Sequence, residues 1–509
     1  MTLSQLPILL ILLPLLGGIL TLFSRPKGIP LQRVVSLIFT MALLLLSIYT
    51  VTIANSGDYS VYILGNWTAP FGIVMVLDKL SSLMILLTSI LAVIALAYAI
   101  SQGTDKKGQH FHVLYQIQLF GLNGAFLTVD LFNLVFFFEA LLLASYGLLL
   151  HGGGRLRTKG GLHYVVINLV GSSLFLFAVG TLYGILGTLN IADMSTHIAQ
   201  LDSADQGIVA AAGLLLLVVF GIKAAIFPLY LWLPGAYANT SAAVAALFAI
   251  MTKVGLYAII RVHGTLFSEQ ASALAGLHAE VVLSLGLVTL AMAVLGVFAS
   301  RALKEQTAFL ILASVATLLI GIGINTTEAL AATLYYLIHS TLIGAGLFLV
   351  ADIIARARGS YSDRLRPGAP MKHAILLGSV FFITAIAIVG MPPLSGFIGK
   401  VMILEAALSS TLSTWIYAII LIGSLLMIMA MARSGSIIFY QTDTSLDDDS
   451  EKLNIRALAL ALVLVLASPI LVIAAGPISD FTQSVASQLN DHQAYIDAVM
   501  GQPAYQGGE

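Results

Sequence analysis

Fourteen apolar stretches of about 20 residues, divided by short polar breaks, run the length of this chain: 3–24, 32–54, 75–100, 111–129, 131–150, 163–187, 207–227, 241–262, 279–299, 305–324, 327–351, 374–409, 413–440 and 457–477. A helix of about that length crosses the hydrocarbon of a bilayer while satisfying its own backbone hydrogen bonds. The pattern predicts an all-α polytopic membrane protein with about 14 transmembrane helices. Composition leaves no soluble alternative. Of the 509 residues, 59% are hydrophobic and 9% charged, against about 25% charged in soluble domains. A net charge of −1 gives no signal for nucleic acid, and the absence of cysteine excludes disulfides, thiolate metal sites and cysteine catalysis together. The first stretch has no basic residue before Arg25 and reads as a span, not a cleavable signal.

Two stretches are irregular. The seventh meets Phe227-Pro228 and then continues apolar to Pro234, and the twelfth is about 36 residues long with MPPLSGFIGK inside it. Proline removes a backbone donor and clashes with the preceding turn, so both read as broken helices.

Basic residues test the count. Arg25, Lys27, Arg33, Lys106, Lys107, Arg155, Arg157, Lys159, Arg301, Lys304, Arg356, Arg358, Arg364, Arg366, Lys372, Arg433, Lys452 and Arg456 fall in alternate connections, and they make up 18 of the 23 Lys and Arg. Positive charge is retained on the cytoplasmic side, which predicts both termini on the outer face of a prokaryotic cell membrane. Lys79 and Arg261 fall near the outer ends. Lys223, Lys253 and Lys400 belong to no loop.

Five ionisable groups thus lie at membrane depth on different helices: Glu139, Lys223, Lys253, His339 and Lys400. Each has a plain structural reading. Lys223 is close enough to the Pro228 break to snorkel. Glu139 and Lys253 stand about 15 Å from the ends of their spans, where a static ion pair would hold two helices together. His339 reads as a neutral core histidine, and Lys400 as a cap for carbonyls freed by its helix break. Collectively they read differently, because chains of costly intramembrane groups are what proton relays are made of. Desolvation disfavours the charged form of lysine and carboxyl alike, so a neighbouring charge can switch them. Histidine titrates near neutrality unaided.

GIKAAIFPLYLWLPGAY, followed 30 residues after its lysine by MTKVGLYAIIR, resembles the core of the antiporter-like subunits shared by Mrp-type cation/proton antiporters, respiratory NADH dehydrogenase and membrane-bound hydrogenases. VLDKLSSLMILLTSILA, FNLVFFFEALLLASYGLL, HYVVINLVGSSLFLFAVGTLYGILGTLNIADM, YYLIHSTLIGAGLF and MPPLSGFIGK follow in register, so the likeness spans roughly residues 1–480. Its most detailed match is to the D-type Mrp subunits. Only a polar tail follows the last span, unlike the longer A-type, and Lys400 stands where the closest respiratory relative carries glutamate.

The resemblance implies Glu139 and Lys223 as a charge-switching pair, Lys253 and His339 as a central relay and Lys400 as the terminal site. It also implies inverted five-helix repeats, spans 4–8 and 9–13, with broken helices 7 and 12. The corresponding division is 1–110 for spans 1–3, 111–263 and 279–440 for the repeats, and 441–509 for the acidic loop, last span and tail. The expected partners are Mrp subunits of the A, B/C, E, F and G types, protons, Na⁺ and the bilayer. The expected activity is secondary transport, not enzyme catalysis. Two alternatives remain: a proton-pumping subunit of a redox complex, or a structural spacer.

The other motifs are weaker. His110 and His112 form an H-x-H that suits an interfacial role better than a metal. The acidic loop 442–452 reads as solvated. HGGGR at 151–155 lacks the lysine and spacing of a phosphate loop, Asp78 has Lys79 or an adjacent subunit as candidate partners, and no quinone, flavin or nucleotide motif is visible, so no cofactor is expected.

Overall fold

A computed structural model describes residues 3–443, 445 and 451–501. Most of the acidic loop, at 444 and 446–450, and the tail from 502 lie outside the described residues. In chain order the helices begin with α1 Leu6–Ser24, α2 Ile29–Ala54, α3 Lys79–Ser101, α4 Phe111–Leu127, α5 Leu131–Leu150, α6 Arg155–Leu186 and the short α7 Ile191–Ala199. Then come α8 Ser203–Ala224, α9 Trp232–Asn239, α10 Ala242–Phe248, α11 Met251–Ala258, a π-helical turn Ile259–His263 and α12 Gly264–Leu266. The second half holds α13 Ala279–Ala299, α14 Leu303–Ile324, α15 Thr327–Ala357, α16 Ala374–Val389, α17 Ser395–Ala406, α18 Ser413–Phe439 and α19 Ile455–Ile473, and the chain closes with α20 Ala475–Asn490 and α21 His492–Met500. A hairpin of β1 Ser60–Ile63 and β2 Val74–Leu77 precedes α3.

Among the described residues, 12 spans are long and apolar enough to cross a membrane. The two further predicted spans correspond to α4, which has 17 residues, and to the broken pair α16–α17. The sixth helix begins at Arg155, so Arg155, Arg157 and Lys159 ride on its first turns instead of in a loop.

Packing gathers the basic connections at one end of the bundle. There Arg25 donates to Gln109 at 2.7 Å, Arg33 pairs bidentately with Asp105, and Asn454 donates to the Ser101 carbonyl at 3.0 Å. The opposite end carries the hairpin, α7 and the tail helices. Gln488 of α20 accepts from the Lys79 amide and donates to the Gly57 carbonyl, and Asn490 donates to Thr327 at 2.6 Å. The polar tail therefore folds as a cap over this end. α2, α6 and α18 expose apolar rows such as Val34, Leu162, Phe177, Leu421 and Leu425, as expected where hydrocarbon or another apolar surface replaces water.

Candidate functional site: polar groups beside two helix breaks

Both broken helices end in the same backbone device. Ala225 (φ 59°) and Gly390 (φ 80°) are left-handed, and the next amide reaches back five residues, Ile226 to Gly221 at 2.9 Å and Met391 to Ile386 at 3.0 Å. This is the 6→1 bond of a Schellman ending. Carbonyls freed by each break are taken by side chains, Ile222 by Trp232 Nε1 at 3.0 Å and Val389 by Lys400 Nζ at 2.7 Å. Lys400 also donates to Ser424 Oγ at 2.7 Å, so its capping role is real.

Lys223 lies two residues before Ala225, in the last turn of α8. Its Nζ donates to Asn168 Oδ1 at 3.0 Å and stands 5.9 Å from the Phe138 ring centre. Tyr164, Asn168 and Ser172 recur every four residues along one face of α6. Ser172 Oγ donates to Glu139 Oε1 and also lies 3.0 Å from the Asn168 carbonyl oxygen, while Tyr164 shares a hydrogen bond with Ser145 of α5. Glu139 is half-buried, and α6 stands between it and Lys223.

Lys253 is wholly buried on α11, and its Nζ has no hydrogen-bond partner among the described residues. α11 presses against the Lys223 turn because residue 255 is glycine: a Cβ there would lie 2.5 Å from the Ala224 nitrogen and 2.8 Å from the Phe220 carbonyl oxygen. His339, also wholly buried, shares a 2.7 Å hydrogen bond from Nδ1 to Ser395 Oγ, which continues to Ser468 Oγ at 2.9 Å. Its Nε2 is unpartnered and faces Gly396, where a Cβ would approach to 2.6 Å.

None of Glu139, Lys223, Lys253 and Lys400 joins an ion pair within 4.0 Å among the described residues. That removes the static ion-pair reading of Glu139 and Lys253.

The family described as NADH:quinone oxidoreductase/Mrp antiporter, transmembrane, matches residues 128–428, the stretch holding all five groups. The chain belongs to that family. A Rhizobium meliloti protein named as the D-type subunit of a probable K⁺/H⁺ antiporter is 38% identical over 98% of both chains. Its Na⁺/H⁺ antiporter counterpart from Alkalihalophilus pseudofirmus, also named as D-type, is 36% identical over 98% of this chain and 99% of its own. Among solved structures, the Mrp complex from Dietzia sp. contains a chain with TM-score 0.84 and 27% identity, covering 98% of this chain and 100% of that one. A chain of respiratory complex I from Thermus thermophilus, at 23% identity and TM-score 0.75, shares the fold; the match covers 95% of this chain and 99% of that one.

For this member of the Mrp/NADH:quinone oxidoreductase family, several polar groups carry no sequence signal. Asn168, Ser172, Ser395, Ser424 and Ser468 are small neutral residues that any helix could carry. Asp78, placed beside Lys79 or a neighbouring subunit by its sequence context, instead pairs with Arg261 at 2.5 Å, and Arg261 also sits over Tyr257 and Tyr495. Asp352 is a second such node, accepting from Lys304, Arg356 and Tyr98 at 2.8, 3.1 and 3.1 Å. His112 is bound to Asp105 at 3.2 Å and His110 lies 3.3 Å from Arg25. No cluster of three metal-binding side chains occurs among the described residues. At the hairpin end, His263 and His278 have ring centres 5.6 Å apart and unpartnered Nδ1 atoms. Burial pushes His278 down to about 4, so it is neutral beside its ≈ 260 Å³ cavity.

Proposed function

We propose that this chain is the proton-translocating subunit of a multisubunit monovalent cation/proton antiporter. It is a transporter subunit and not an enzyme, set among Mrp subunits of the A, B/C, E, F and G types in a prokaryotic cell membrane with the basic end cytoplasmic and both termini outside. Protons reach Glu139 and Lys223, pass Lys253 and His339, and leave at Lys400, and their inward movement drives cation efflux. Spans 4–8 and 9–13 act as the two inverted repeats, each with one half-helix break. The matching Schellman endings at Ala225 and Gly390 support that division.

The observation that carries the reading is that three lysines, on the two broken helices and on α11, are buried without a carboxylate within 4.0 Å among the described residues. A structural spacer would gain by replacing each with an apolar residue. The relatives are named for both K⁺ and Na⁺, so the cargo is assigned only as a monovalent cation, with Na⁺ the first to test. In everted vesicles bearing the whole complex, Na⁺ or K⁺ should collapse a pre-formed pH gradient. Glu139→Ala, Lys223→Ala and Lys400→Ala should each abolish that collapse; normal activity in all three would end the relay reading.

A further inference from the structure

At the basic end, four arginines converge on one cavity. Arg301 leaves the end of α13, Arg364 and Arg366 extend from the connection after α15, and Arg433 projects from α18; together they line an open cavity of ≈ 640 Å³. All four are exposed, and none has a carboxylate partner within 4.0 Å among the described residues. Four like charges around one concavity repel each other unless an anion joins them.

The cavity is built, because its loops are tied down from behind. Leu303 donates to the Asp363 carbonyl at 2.7 Å and Leu365 to the Arg301 carbonyl at 2.9 Å. Arg358 is buried and spends its guanidinium on the Arg364 and Arg366 carbonyls, at 2.6 and 2.5 Å. The backbone carbonyls of 364 and 366 are thus held from behind while both residues line the cavity, with the Arg366 guanidinium 5.2 Å from the Tyr361 ring centre. Phe298 and Ile437 supply an apolar flank.

We propose that this cavity binds the headgroup of an anionic glycerophospholipid whose phosphate meets the arginines. Basic pockets between transmembrane helices take such headgroups. Arginine suits the task because its planar fork meets two phosphate oxygens at once. The apolar flank accommodates the first acyl carbons, which distinguishes a lipid from free phosphate.

The test is native mass spectrometry of the whole complex after reconstitution with phosphatidylglycerol, phosphatidylcholine and phosphatidic acid. Phosphatidylglycerol should be retained over phosphatidylcholine and survive millimolar inorganic phosphate. Arg364→Gln with Arg366→Gln should cut retention about tenfold, as should Arg433→Gln in an otherwise unaltered chain. Phosphatidic acid, which presents a phosphate on the same acyl chains, should be retained over phosphatidylcholine as well. Equal retention of phosphatidylcholine, displacement by phosphate, or wild-type retention in both arginine variants would overturn the proposal. So would lipid held only when the chain is stripped from its complex, since a neighbouring protein would then be the true occupant.

Discussion

Glu139 and Lys223 each meet a polar side chain on the same face of α6. Ser172 donates to the Glu139 carboxylate, and Asn168, one turn away, accepts from Lys223 Nζ at 3.0 Å. No ion pair joins Glu139 and Lys223 within 4.0 Å among the described residues.

The first prediction concerns the Asn168–Lys223 contact. A hydrogen bond to a charged group contributes about 1.5–3 kcal/mol, so Asn168→Ala should slow gradient collapse about tenfold or more with the complex still assembled. Asn168→Asp should also slow it, by pairing Lys223 with a fixed carboxylate. Unchanged transport in both variants would show that the α6 face is packing only.

Lys253 offers a test with opposite signs for stability and transport. Its amine is buried without a hydrogen-bond partner among the described residues, which costs folding energy that methionine, of similar length and wholly apolar, would not. Lys253→Met should raise the thermal unfolding midpoint of the purified complex while lowering transport about a hundredfold or more, the order contributed by a positioned proton-transfer group. A lysine that merely supports the fold predicts a lower midpoint.

Asp105, in the connection between α3 and α4 and paired with Arg33 near the start of α2, gives a pH dependence outside the membrane. Burial raises the Asp105 carboxyl, but hydrogen bonds from His112 and Arg33 outweigh it and hold the group down at about 2, below its ordinary 3.8. Folding therefore gains from this contact above about pH 4 and loses the gain as pH falls from there through about 2. Asp105→Asn should lower stability at neutral pH by about 1–2 kcal/mol and flatten the acid limb of the unfolding curve. An acid limb identical to wild type would show that Asp105 does not set it.

What the sequence makes legible follows from distance along the chain. Lys223, Lys253 and Lys400 stand out because a charge inside an apolar run has few neighbours to hide among, and Pro228 and Pro393 advertise the breaks beside them. Asn168 and Ser172 do not stand out, since neutral polar residues cost little on a membrane helix and every span here carries some. Asp78 and Arg261 are 183 residues apart, and no local pattern joins them. The tail helices α20 and α21 are hidden by composition: a predominantly polar stretch gives no membrane signal, and the packing of α20 on α15 appears only once the bundle exists.

The last prediction concerns the glycine under His339. Gly396 lies in the first turn of α17, and its missing Cβ leaves the space that His339 Nε2 faces; a methyl group would lie 2.6 Å from that nitrogen and 2.4 Å from the Ala387 carbonyl oxygen. Neither neighbour is the free end of a flexible chain, because the ring is tethered to Ser395 and the carbonyl belongs to α16. Gly396→Ala should therefore force the ring or α17 to shift, at a cost of about 1–3 kcal/mol, and gradient collapse should fall with it. Ser395→Ala separates the two effects, since it releases the ring without adding volume. If the His339–Ser395 contact orients a relay group, Ser395→Ala should slow transport several-fold while leaving the unfolding midpoint close to wild type. Transport at the wild-type rate in Ser395→Ala, with loss only in Gly396→Ala, would assign the defect to overpacking of the break and remove Ser395 from the relay.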